Sequence, residues 1–330
     1  TSTAIKYVGV LGAASCLHMA WTDVTVFATL ANVTSNAPDF NGVLGAVSND
    51  VTWTNVSVSA ARADVTSTAG TFVGVLGTGS TTVAWTDVTV SAVLANVTST
   101  AWLFVGVLGA GSGVAMAWTN VVVSAANANI ISTASSFVGV LGAGSNNDTM
   151  WTNVTVSAVM VNVTSTATSY AVGVLGSGSG TGITAWTNVA VSAANATITA
   201  TATNFSGVLG SGSSNDTTWT NVTISAATTN VTSAARYYVG ILGAGCSSHM
   251  TWTNVAVYAT LASVKSTARH YAGVLGAGNF NRNVTWTNVT VSAKLANVTS
   301  TTTGYVGVIG AASMGDITWA NVAVSAATAN

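Results

Sequence analysis

Residues 139–172 read GVLGAGSNNDTMWTNVTVSAVMVNVTSTATSYAV. The chain repeats this unit ten times. The motif G-[VI]-[LI]-G opens at Gly9, Gly42, Gly74, Gly106, Gly139, Gly173, Gly207, Gly240, Gly273 and Gly307. A second motif, W-[TA]-[ND]-V, starts at Trp21, Trp53, Trp85, Trp118, Trp151, Trp186, Trp219, Trp252, Trp286 and Trp319. Successive motif glycines are 32–34 residues apart, and a fixed period of that length is the mark of a solenoid or array.

The length variation is confined to one place. Each Trp is followed by the next motif Gly after 21 residues, or 22 across Tyr170. From the second motif Gly to the following Trp the distance is 8, 9 or 10. The segment just before Trp is therefore expected to be a surface loop, with tight corners elsewhere.

The segment after Trp alternates strictly, as in Trp53-Thr-Asn55-Val56-Ser57-Val58-Ser59-Ala60. In all ten units the third residue after Trp is Val, the fifth is Val or Ile and the seventh is Ala, whereas the intervening residues vary. A fixed apolar face and a variable one describe a half-buried strand. A second strand is A-N-V-T-S-T-A, as in Ala95 to Ala101, with Val97 and Ser99 inward and Asn96, Thr98 and Thr100 outward. The third is [FY]-V-G-V-L-G. Asn41 and Ser206 at its second position point to the aromatic, the Gly and the Leu as its inward face, although the near-constant Val after the Gly opposes a simple alternation.

Three short strands per repeat predict an all-β fold: a β-solenoid, or parallel β-helix, of ten ~33-residue coils stacked at about 4.8 Å. Residues 1–330 are expected to form one continuous solenoid that starts and ends in mid-repeat, without caps. Asx at all ten positions two residues after Trp predicts a ladder of side-chain amides running from coil to coil.

Composition narrows function. Charged residues make up 5% of the chain, with eight Asp, no Glu and a net charge of -1. That balance gives no electrostatic footprint for nucleic acid, and none for an anionic membrane. No apolar run approaches the ~18 residues of a membrane helix. Enzymatic activity is not expected, because a glycosidase- or lyase-like site needs clustered carboxylates or bases. Asp148 and Asp216 lie in equivalent loops, where S-N-D-T reads as turn chemistry. Cys16 and Cys246, with His18 and His249 nearby, fall in the variable segment seven coils apart. That separation is too great for a disulfide or a four-ligand metal site, so both read as incidental loop residues and no cofactor is expected.

Fourteen N-x-[ST] sequons occur, at Asn32, Asn55, Asn96, Asn147, Asn153, Asn162, Asn195, Asn204, Asn215, Asn221, Asn230, Asn283, Asn288 and Asn297. In N-V-T on a strand, Asn and Thr point outward and Val inward, which presents the acceptor amide to solvent for N-glycosylation.

The pattern FVGVLGAGS…WTNVTVSA…ANVTSTA resembles the GLUG-type repeats of extracellular, adhesin-like β-solenoid proteins over the whole chain. The resemblance implies an extracellular fibrous or adhesive role and carries over no catalytic residue. The expectation is thus a glycosylated filament or surface-layer subunit whose partner is itself, head to tail. Two alternatives come with it. One is a carbohydrate-binding adhesin using the variable loops. The other is an ice-binding protein using outward T-x-T pairs such as Thr66/Thr68, Thr98/Thr100, Thr164/Thr166, Thr199/Thr201 and Thr299/Thr301.

Overall fold

The computed structural model describes every residue except 1, 4–6, 10, 16, 38, 170, 181, 280, 281, 302, 304 and 328–330. It is an all-β solenoid of parallel strands, and none of the described residues is helical. One coil contains Phe137–Gly139, Ala143–Ser145, Thr149–Val159 and Asn162–Ala167. Each strand pairs in parallel with its equivalent one coil away, as in Trp118 opposite Trp151, Val123 opposite Val156 and Asn129 opposite Asn162, and the register shifts in the variable segment between Ser80 and Thr82. Two of the sheets hold ten strands each, the Asn-Thr strands in one and the Phe-Val-Gly strands in the other.

Alternation predicts the faces of the two longer strands correctly. Val154, Val156 and Ala158 are buried, and so are Val163 and Ser165, whereas Asn162 and Thr164 are exposed. The tryptophans form a continuous column from Trp21 to Trp319. Their ring centroids are 4.7–5.3 Å apart and their planes within 6° of parallel. Spacing beyond ring contact at parallel planes means offset stacking, the favoured geometry for aromatic pairs. Eight of these indole N–H groups, Trp53 to Trp286, are buried without a hydrogen-bond partner among the described residues. Each orphan costs about 1–3 kcal/mol. Burying some 150–250 Å² per indole at about 25 cal/mol per Å² contributes about 4–6 kcal/mol, so the column is net favourable.

The parity expected for the Phe-Val-Gly strand is corrected. Its second position faces the main core: Val73, Val105 and Val138 are fully buried, and Asn41 and Ser206 with them. The two polar substitutes survive there because they are hydrogen-bonded. Asn41 accepts from Ser35 Oγ at 2.5 Å and donates to Thr68 O at 3.1 Å, and Ser206 pairs with Ser233 at 2.8 Å. Phe72, Phe104 and Phe137 are buried on the opposite side, in a separate cluster with Val47. A strand covered on both faces loses its alternation, and inference from substitutes then misleads.

The glycines of this corner answer to crowding, since no described Gly has positive φ. A Cβ on Gly77 would lie 1.9 Å from Gly109 O of the next coil. Leu76 N and Gly77 N both donate to Val107 O, at 2.7 and 2.6 Å, which draws the two backbones together. The positive φ values fall elsewhere. Asx two residues after Trp, from Asp23 to Asn321, sits at φ 54–55° in every coil. A second left-handed corner holds Leu30, Arg62, Leu94, Asn127, Met160, Asn195, Thr228, Leu261 and Leu295 at φ 50–53°.

Candidate functional surfaces

The expected Asx ladder is present. Asn120 Nδ2 donates to Asp87 Oδ1 at 2.9 Å, and Asn153, Asn188, Asn221, Asn254, Asn288 and Asn321 continue it at 2.9–3.0 Å. Asn55 donates to Asp23 at 2.6 Å. Asp87 has no N–H to offer Asn55, so a carboxylate interrupts the run at that coil.

The fourteen sequon asparagines divide by place. Asn32, Asn96, Asn162, Asn230 and Asn297 open the Asn-Thr strands and are exposed on the outer face of that sheet. Asn55, Asn153, Asn221 and Asn288 are exposed but have Nδ2 engaged in the ladder. Asn195 occupies the second left-handed corner. Asn147, Asn215 and Asn283 lie in the variable loop, and Asn204 is half-buried at the corner before the Phe-Val-Gly strand. The first group is the least encumbered, although Asn96 also donates to Asp64 at 2.7 Å. The outward T-x-T pairs are on the same face as that group, and none of their side chains is buried.

The variable loop is tethered by a column that sequence reasoning missed. Ser48 Oγ donates to Leu17 O, Ser112 Oγ to Thr81 O and Ser179 Oγ to Asn147 O, at 2.6–2.7 Å. All three serines are buried, and each uses its hydroxyl on a loop carbonyl of the preceding coil. Cys246 occupies this column, at the end of strand Ala244–Cys246, fully buried. Its assignment as an incidental loop residue is therefore corrected: the thiol stands where other coils have Ser, 3.4 Å from Ser248 O. Burial pushes it up to about 12, which leaves it protonated and inert. Cys16 lies outside the described residues.

Asp148 and Asp216 do more than shape their own turns. Asp148 Oδ1 accepts Ile183 N at 2.9 Å and Asp216 Oδ1 accepts His249 N at 3.0 Å, each from the next coil. Burial pushes the Asp216 carboxyl upward, but hydrogen bonds from Ser248 and His249 outweigh it and leave the group below its ordinary value. Among the described residues no three His, Cys, Asp or Glu side chains are grouped to hold a metal. No described helix is long and apolar enough to cross a membrane.

The last described coil exposes residues whose equivalents one coil inward are covered. Trp319 is 47% exposed and Trp286, one coil inward, 0%. Val324 is likewise exposed and its neighbour Val291 fully buried. Comparison of the chain with family models, with curated proteins and with solved structures returns no match.

Proposed function

We propose that the chain is a structural protein, an N-glycosylated subunit of an extracellular filament or surface layer that assembles by stacking coil on coil between copies. One observation carries the reading. The coil-to-coil interface recurs along the molecule in the same register, with the same Trp, Val and Asx columns. A coil is by construction a binding surface for another coil. An exposed end face offers unpaired strand groups and apolar columns, and covering it with an identical coil contributes about 25 cal/mol per Å² of apolar surface removed from water. The contact joins the top of one unit to the bottom of the next, so it propagates instead of closing.

Glycans fit the same account. A rod with 5% charged residues needs another source of solubility, and the outward row Asn32, Asn96, Asn162, Asn230 and Asn297 would supply it while leaving the ends free. The GLUG-like pattern supports an extracellular place. No catalytic step is assigned.

Sedimentation velocity at micromolar concentration tests the reading. Wild-type chain is expected to form a ladder of ever longer species. Val322→Asp, which puts a charge on the last coil's open column, is expected to hold it near the monomer. A monodisperse wild-type monomer contradicts the proposal. Glycopeptide mass analysis of native material tests the second half, and fourteen bare sequons would remove it.

The outward Thr pairs favour a second reading, in which regularly spaced hydroxyl rows bind ice. A thermal hysteresis assay decides it: no hysteresis discards that reading.

A further inference from the structure

The chain has only seven Lys and Arg residues, and five of them, Arg236, Lys265, Arg269, Arg282 and Lys294, lie between 236 and 294. Two occupy one register position on successive coils. Ala235 pairs with Ala268, and directly after them Arg269 N donates to Arg236 O at 3.1 Å. The two guanidinium-bearing residues thus sit one strand spacing apart, both exposed. Like charges directly opposite each other are destabilising unless something anionic lies between them. Among the described residues no carboxylate supplies it: the ion pairs there are His18–Asp50 and His249–Asp216.

An aromatic slab flanks the pair. Tyr237 and His270, the next register position, stack at 5.2 Å with planes 10° apart, and the Arg236 guanidinium lies 5.3 Å from the Tyr237 ring centroid. Both rings are half-buried. In the strand that ends one residue before Arg269, Lys265 and Thr267 are exposed on the outward face, about 7 Å apart along the strand. The repeat itself does not require any of this. Equivalent corners read Gly70-Thr71, Trp102-Leu103, Ser135-Ser136 and Thr203-Asn204, without a cation.

We infer that this corner binds an anionic saccharide. A sulfate or carboxylate group would bridge Arg236 and Arg269, whose planar forks match such oxyanions. A sugar ring would lie against the Tyr237–His270 slab, with Lys265 taking a second anionic group. Outward hydroxyls such as Thr232 and Thr267 suit a hydroxylated chain. A nucleic acid fits less well, because three cations neutralise too few phosphates for appreciable affinity at physiological salt. This site stands apart from the end faces and is independent of polymerisation.

The test is calorimetric titration of the full chain with a sulfated heparin hexasaccharide, its desulfated counterpart and a DNA duplex of equal charge. The comparison variant is Arg236→Ser with Arg269→Ser, a residue that the equivalent corner carries at Ser135, so the fold is kept; an unchanged thermal melt verifies this. Wild type is expected to bind the sulfated sugar, the double variant to bind it roughly tenfold more weakly or worse, and Arg62→Ser to bind like wild type. No binding by wild type, equal binding by the double variant, or equal affinity for the DNA would overturn the assignment.

Discussion

Nine of the coils show two left-handed corners with nearly the same backbone among the described residues, yet only one corner has a fixed residue type. The corner after Trp is Asp or Asn in all ten coils at φ 54–55°. The corner seven residues later accepts Leu, Arg, Met, Thr and Asn at φ 50–53°. Both donate their N–H to the neighbouring coil, as Asn120 N does to Thr152 O at 2.9 Å and Met160 N to Ala194 O at 2.9 Å. Inter-coil backbone bonds are therefore enough to hold a strained φ, at a cost of about 1–2 kcal/mol for a residue such as Leu. What distinguishes the first corner is its side chain, which bonds its own copy one coil away. A stacked fold fixes residue identity where the side chain itself makes a ladder, and leaves it free where only the backbone does.

The largest effect is expected between the two corners. Val156 is fully buried midway along the strand that joins Asn153 to Met160. Val156→Asp buries an unpaired charge in a stacked column and should cost several kcal/mol. Its exposed neighbour Thr155, changed to Asp, should cost about half a kcal/mol or less. Equal losses in chemical denaturation would show that the strand has no inside.

A reciprocal swap sharpens the contrast. Asn153→Leu removes two ladder bonds and puts a Leu at positive φ, with an expected loss of about 2–3 kcal/mol. Leu94→Asn at the other corner relieves strain and removes an exposed apolar side chain, with an expected gain of about 0.5–1 kcal/mol. If both swaps cost the same, the ladder adds nothing to the backbone.

The smallest effect concerns acid. The Asp216 carboxyl titrates below its ordinary value in the folded chain, so its contribution is present above that value and is lost as pH falls through the lowered one. Melting temperatures between pH 6 and 2 should drop slightly more for wild type than for Asp216→Asn. Parallel curves would remove the carboxylate from the stack's stability.

Legibility followed the same division. Features that repeat in side-chain identity could be read in advance: the period, the inward Val rows, the Asx ladder and the outward Asn. The second corner could not, because Leu30, Arg62, Met160 and the β-branched Thr228 are residue types rarely found at positive φ. The Phe-Val-Gly strand was misread because both its faces are covered. Cys246 was misplaced because the serine column that it joins looks, in sequence, like ordinary loop composition. The Arg236–Arg269 pair was hidden by a net charge of -1, since an overall balance says nothing about two cations brought to one corner by a 33-residue period.

Coil-on-coil complementarity is the claim on which the rest depends, and imaging tests it most directly. Low-dose electron microscopy of the chain at micromolar concentration should show continuous unbranched rods with an axial periodicity of about 4.8 Å. Discrete particles about 48 Å long, one chain each and never joined, would contradict it.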